Sequence, residues 1–390
     1  MATVRLTMSQ ALTRWMTAQS IEQLDGSIEP AFAGVWAIFG HGNVAGLGEA
    51  LYGVRDQLPT YRGHNEQSMA HIAIAYAKQK QRRRMMAVTT SIGPGATNLA
   101  TAAALAHVNR LPVLLLPGDV FATRAPDPVL QQVESFADGT VSANDCLRPI
   151  SRYFDRITRP EQLLQALPKA MSVLTDPADC GPVTLGLCQD VQAEAWDYPE
   201  SFFAPRVWHM RRISPDAAEL SRAIETLKSA KRPMIVAGGG VRYSGASQAL
   251  TAFADAVGIP VAATQAGKSS LVEAHPMYVG SLGVTGASAA NNLAAKADVV
   301  LSVGSRLQDF TTGSNSLISG QVVALNVQPH DLVKHGAMPL MADALNGIEA
   351  LAAGMAGYRT DDAYQSEIAG EWQGWTDAVD AVCRAPSDSN

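Results

Sequence analysis

Glu66 and His41 are the side chains of this chain best suited to moving a proton, and each stands beside a glycine-punctuated turn. Glu66 follows an extended Pro59-Thr60-Tyr61-Arg62 segment and the turn Gly63-His64-Asn65, and it opens an apolar helix. Met69 and Ala70 lie three and four residues on, which directs the carboxylate toward the packed side of that helix. A carboxyl in an apolar wall keeps or shares a proton near neutrality. The helix dipole alone also accounts for a glutamate at a helix start. His41 sits in Gly40-His41-Gly42-Asn43 and offers an imidazole, the usual group for proton transfer near neutral pH. The same ring can simply satisfy loop carbonyls. His64, two residues before Glu66, is a second imidazole candidate.

A second loop runs Thr90-Ser91-Ile92-Gly93-Pro94-Gly95-Ala96-Thr97-Asn98. Gly93 and Gly95 let the backbone approach a ligand closely, and the following helix start offers free N–H groups. The spacing is neither a Walker loop nor a GxGxxG fingerprint, and a tight turn alone also explains it. Asn98 and Gln131 are polar residues suited to a pocket wall or to capping.

Two series of strands and helices must position these groups. In the first, Val35–Phe39, Thr60–Arg62, Met86–Thr90, Val113–Leu116 and Val183–Leu187 read as strands separated by helical patterns. Met69, Ile72, Ala73 and Tyr76 keep helical spacing between two of them. The second series has strands at Met234–Ala237, Pro260–Ala263, Val299–Val303 and Val322–Val327. Continuous apolar strands between helices imply parallel sheets covered on both faces. The expected fold is therefore α/β, with two doubly wound parallel-sheet domains. The expected domains are 1–195 and 209–356, joined by a polar, aromatic linker from Gln189 to Trp208. Residues 357–390 are expected to hold a helix, Ile368 to Val382, and a linker-like tail from Arg384 to Asn390.

Length and composition agree with this. The chain has 390 residues, 47% hydrophobic and 17% charged, which suits two globular domains with large cores. A net charge of −6 argues against a nucleic-acid surface. The run Lys78-Gln79-Lys80-Gln81-Arg82-Arg83-Arg84 reads as a helix end favoured by the dipole. The four cysteines lack metal-site spacing, so no metal ligands are assigned. No signal peptide or membrane-length apolar run is visible, and a cytoplasmic location is expected. Gly238-Gly239-Gly240 resembles half a dinucleotide fingerprint, but Tyr243 stands where the third glycine belongs. Cys188 has no nearby histidine and reads as core.

Taken together, Arg62-Gly63-His64-Asn65-Glu66-Gln67 and Ser91-Ile92-Gly93-Pro94-Gly95-Ala96-Thr97-Asn98-Leu99 resemble the pyrimidine-binding domain of the thiamine diphosphate enzymes of the acetolactate synthase type. The resemblance continues through Leu111-Pro112-Val113, Gly118-Asp119, Gln131 and Gly181-Pro182-Val183. Residues Pro233 to Gly240 are similar to the opening of that family's central domain. Gly40-His41-Gly42-Asn43-Val44-Ala45-Gly46-Leu47-Gly48, Gln189-Asp190-Val191-Gln192-Ala193-Glu194-Ala195 and Thr264-Gln265-Ala266-Gly267-Lys268-Ser269 resemble a narrower group, the hydrolases that open trihydroxycyclohexane-1,2-dione in inositol breakdown.

The resemblance implies thiamine diphosphate and Mg2+ as cofactors of a full-length enzyme. It implies that Glu66 hydrogen-bonds a ring nitrogen of the aminopyrimidine and favours its imino tautomer. It places His41 toward substrate, and Gly40, Gly42, Gly93, Gly95, Asn98 and Gln131 around the cofactor. The implied reaction is C–C hydrolysis of a cyclic diketone to 5-deoxyglucuronate, in a homo-oligomer of at least two subunits. The family holds its metal through a Gly-Asp-Gly segment, and no such segment occurs here: Gly118-Asp119 runs into Val120, and Asp138-Gly139 follows Ala137. A further diphosphate-binding domain of about 150 to 200 residues is thus expected beyond Asn390. Without it, these residues are expected to bind neither cofactor tightly and to be inactive alone. Two other readings stay open, an acetolactate synthase-like enzyme acting on 2-oxo acids and a non-catalytic two-domain binding or regulatory module.

Overall fold

The computed structural model describes residues 2–383 apart from 127 and 134. The segment 384–390, read above as a linker-like tail, lies outside the described residues. The chain divides into two compact units, Met1–Arg211 and Arg212–Asn390.

The first unit is built on a six-stranded sheet, all parallel, in the order Thr60–Arg62, Phe32–Ala37, Met85–Thr90, Val113–Asp119, Pro182–Cys188, Tyr153–Ile157. Every residue of Met85–Thr90, Val113–Asp119 and Pro182–Cys188 is buried, as strands covered on both faces must be. That is why they read as unbroken apolar runs. The edge strand Tyr153–Ile157 carries Tyr, Asp and Arg, is only half-buried along most of its length, and gives no such signal.

The stretch expected to be a linker is instead part of the first unit. Ala195–Pro199 pairs antiparallel with Thr3–Thr7, and Arg206–Trp208 pairs parallel with Gln19–Glu22. Its aromatic residues explain why. Tyr198 is fully buried, its hydroxyl donates to the Pro160 carbonyl at 2.9 Å, and its ring stacks at 6.2 Å on Phe202. Trp208 Nε1 donates to Gln19 Oε1 at 2.9 Å. Polarity suggested exposure, but the rings anchor the segment in the core.

The basic run ends a helix as expected, but its arginines do more than suit the dipole. The helix Glu66–Gln79 ends within the run, with Lys78 in its last turn, and Arg82 and Arg83 are buried. Arg83 Nη1 donates to the Glu22 carbonyl at 2.9 Å, and Arg84 pairs with Glu29 at 2.8 Å. These guanidinium groups tie the strand Met85–Thr90 to the N-terminal segment.

The second unit has another six-stranded parallel sheet, in the order Tyr278–Ser281, Val261–Ala263, Pro233–Ala237, Val299–Val303, Gln321–Asn326, Met338–Met341. The expected terminal helix runs over Asp362–Cys383. It packs on this unit through Tyr364, whose hydroxyl donates to Pro233 O at 3.0 Å, and through Lys296, which bridges Glu367 and Glu371. The Gly238-Gly239-Gly240 turn is closed by its neighbour. A Cβ on Gly240 would fall 2.6 Å from Gly304 Cα, and Gly240 N–H already donates to Gly304 O at 3.0 Å. Among the described residues no helix is long and apolar enough to cross a membrane.

Candidate functional site

At the carboxyl ends of the first unit's strands, three loops meet, where ligands bind in open parallel sheets. The loop after Phe32–Ala37 carries Gly40, His41, Gly42 and Asn43. The loop after Met85–Thr90 carries Ser91 to Asn98, and Gly118 closes Val113–Asp119.

Glu66 is the first residue of the helix Glu66–Gln79, whose start is capped by Asn65 accepting from Ser68 N at 2.9 Å. A Cβ on Gly63 would fall 2.3 Å from Met69 Cγ, so the chain turns into this helix over the Met69 side chain. The Glu66 carboxylate is half-buried, and its Oε2 accepts a hydrogen bond from Asn98 Nδ2 at 2.8 Å. Its other oxygen faces Gly95. A Cβ there would lie 3.2 Å from Glu66 Oε1 and 2.5 Å from Ser91 Oγ. The absent side chain lets Ser91 Oγ and the carboxylate lie close against the loop backbone.

The first loop is held from within. Asn43, only 2% exposed, accepts from Gly40 N at 2.9 Å and donates to Ile38 O and Thr89 Oγ1, each at 3.1 Å. Gly42 has φ +95°, and a Cβ there would fall 2.1 Å from Ile92 Cγ2. Ile92 N donates to His41 O at 3.1 Å, joining the first loop to the second. The His41 backbone is thereby fixed, while its Nε2 is buried with no hydrogen-bond partner. An orphaned buried ring nitrogen is costly unless something completes it, which suits a group awaiting a ligand.

Glu66, Gly95, Ser91, Asn98, Gly40 and His41 thus form one continuous chain of contacts. Gln131 joins it differently. Its side chain is exposed, its φ is +62°, and its carbonyl oxygen lies where a Cβ on Gly93 would fall, 1.7 Å away. Gly93 therefore admits the Gln131 backbone. His64 is exposed.

Asp119, short of a Gly-Asp-Gly, serves an ion-pair network instead. Arg156 Nε donates to its Oδ2 at 2.8 Å, and Arg156 Nη2 donates to Ser142 Oγ at 2.7 Å and Asp145 Oδ2 at 2.8 Å. Burial works against the Arg156 charge, yet the two carboxylates hold its pKa above the usual value. Burial also opposes the Asp145 charge, but the Ser142 N–H, Arg156 and Arg148 lower its pKa. Burial, reinforced by Asp119, pushes the Cys188 thiol up, which leaves no thiolate for nucleophilic work. Ser91, Asn43, Asp119 and Arg156 were not assigned to the site from sequence. Ser91 and Asn43 stood inside the motifs, whereas Arg156 joins only through folding.

A half-buried carboxylate held by Asn98 suits a ring nitrogen of an aminopyrimidine. The metal end is different: among the described residues no group of three or more His, Cys, Asp or Glu is placed to hold a metal ion.

Comparison with known proteins agrees with this geometry. Residues 33–138 match the thiamine pyrophosphate enzyme N-terminal TPP binding domain, and residues 220–351 match the central domain. The chain is 48% identical over 391 residues to a 3D-(3,5/4)-trihydroxycyclohexane-1,2-dione hydrolase of Geobacillus thermodenitrificans, covering 100% of this chain and 61% of that protein. It is 47% identical over 378 residues to proteins of the same name in Bacillus cereus (strain AH820) and Bacillus anthracis (strain CDC 684), covering 96% of this chain and 58% of each. The chain thus spans about three-fifths of the length of these relatives. With both domains matched in order and the whole sequence aligned, this chain belongs to the thiamine pyrophosphate enzymes and carries their N-terminal and central domains.

Proposed function

We propose that this chain is the pyrimidine-binding and central part of a thiamine diphosphate-dependent hydrolase that opens 3D-(3,5/4)-trihydroxycyclohexane-1,2-dione. The observation that carries the reading is the Glu66 carboxylate, fixed by Asn98 beside the Gly95 backbone. In the reaction, water is added across the C–C bond between the adjacent carbonyls. One carbon leaves as a carboxylate and the other as an aldehyde, giving 5-deoxyglucuronate. The cofactor supplies, when bound, the carbon nucleophile for a carbonyl.

The protein's own residues orient and move protons. Glu66 hydrogen-bonds a pyrimidine ring nitrogen, and Asn98 keeps its carboxylate from rotating away. Gly95 would let the ring edge approach the carboxylate, while Gly93 lets Gln131 O pack against its loop and Gly42 lets Ile92 pack against the loop that carries Gly40 and His41. His41 Nε2 exchanges a proton with a substrate oxygen. Mg2+ and the diphosphate are held by residues outside this chain, in a homo-oligomer of at least two subunits, and the site works in the cytoplasm. The test is an assay of the full-length, cofactor-loaded protein with the dione. Open-chain acid should accumulate, and Glu66→Gln should lower kcat at least about a hundredfold. Turnover of a 2-oxo acid in place of the dione would overturn the substrate assignment.

A further inference from the structure

The segment once read as a linker reaches into the site. Gln192 is 1% exposed and its side-chain amide is fully engaged. Nε2 donates to the Gly42 carbonyl and to Leu187 O at 3.0 Å, while Oε1 accepts from Leu47 N at 3.2 Å. Gly46 makes this reach possible, since a Cβ there would lie 2.5 Å from Gln192 Cβ. Two residues earlier, Asp190 accepts from Ala122 N at 2.9 Å and Thr123 N at 3.2 Å, holding the chain that leaves Val113–Asp119. The turn Asp190-Val191-Gln192 therefore grips two loops of the site from one side.

We infer that Gln192 is a positioning residue for His41. Gln192 holds the carbonyl of Gly42, the residue after His41, and Asn43 holds the N–H of Gly40, the residue before it, while the His41 carbonyl itself accepts from Ile92 N. With both neighbouring residues held, the backbone sets the Cα–Cβ direction of His41, and its Nε2 is left buried without a partner. Gln192 touches neither cofactor nor substrate. The inference rests on the reading of His41 as the proton-transfer group.

The test is NMR of the 390-residue chain, with no catalysis required. In Gln192→Met, which keeps the bulk and removes the amide, the His41 ring resonances should shift and exchange of the Gly42 and Asn43 amides should quicken at least about tenfold. The Asn98 side-chain amide on Glu66 should not move. Tyr198→Phe, which removes a buried bond to Pro160 elsewhere in the unit, controls for general loosening and should leave His41 unchanged. A folded Gln192→Met with native His41 resonances overturns the inference, as does an equal shift in Tyr198→Phe. If Gln192→Met does not fold, Gly46→Ala, which displaces the Gln192 side chain, takes its place with the same two outcomes. In the unsubstituted chain, the Gln192 amide protons should exchange at least about a hundredfold more slowly than those of exposed Gln57. Equal rates overturn the inference without any variant. A loaded full-length enzyme that ignores the dione would overturn the proposed reaction and leave these readouts standing, so the two failures are separable.

Discussion

Gly95 is as informative as the carboxylate beside it. Glu66 alone fits a dipole-stabilised helix start, but its carboxylate and Ser91 Oγ lie this close to the loop only because residue 95 lacks a side chain. The contact distances make this testable. In Gly95→Ala the new methyl meets Ser91 Oγ at 2.5 Å, which a rotation of Ser91 relieves, and then crowds Glu66 Oε1 at 3.2 Å. The fold should survive with little loss, while kcat of the loaded full-length enzyme falls about a hundredfold through misplacement of the carboxylate and ring edge. Gly53→Ala, whose methyl meets nothing within 4 Å, should leave kcat unchanged. Equal kinetics for the two variants would remove Gly95 from the site. Glu66, Asn98 and Gly95 were legible in the sequence because each lies in a short motif with a local chemical reason. Gln192 was not, because it meets Gly42 only after 150 residues of chain have folded.

Among the elements, central strands declared themselves, while of the four edges only Thr60–Arg62 did. Met85–Thr90 and Val113–Asp119 are buried on both faces, so solvent leaves no polar alternation in them. Tyr153–Ile157, Tyr278–Ser281 and Met338–Met341 lie at or near sheet edges, carry partly exposed residues and escaped notice for that reason. The first of these nevertheless carries Arg156, which fastens the chain between Thr140 and Asp145 to the sheet. The Asp145 carboxyl has its pKa lowered in the folded chain, so its contribution is present above the unfolded value and disappears as pH falls through the folded one. Asp145→Asn should cost about 2 kcal/mol at pH 7, as expected for hydrogen bonds to a charged group. The gap from the parent should narrow as the solution is taken below about pH 4. Urea unfolding at several pH values measures it. A gap that stays constant into acid would show that the charge of Asp145 contributes nothing.

At the scale of the whole molecule, the site has one wall. The chain covers 61% of its Geobacillus relative and matches the N-terminal binding domain over residues 33–138. Thiamine diphosphate has two ends of different chemistry. Its pyrimidine needs a carboxylate, for which we propose Glu66, held by Asn98 beside Gly95. Its diphosphate needs Mg2+ on oxygen donors placed together with the phosphates. Among the described residues no such donor group is assembled. Binding to these 390 residues should therefore draw on the pyrimidine end alone. A Kd no tighter than about 1 mM, or roughly −4 kcal/mol, is the expected result by calorimetry. The sharper discriminator is the ligand's own phosphates. If only the pyrimidine wall binds, thiamine and thiamine diphosphate should have affinities within about threefold, and Mg2+ should alter neither. A magnesium-dependent Kd near 1 μM would add about 4 kcal/mol that the pyrimidine wall cannot supply, and would require a diphosphate site within this chain.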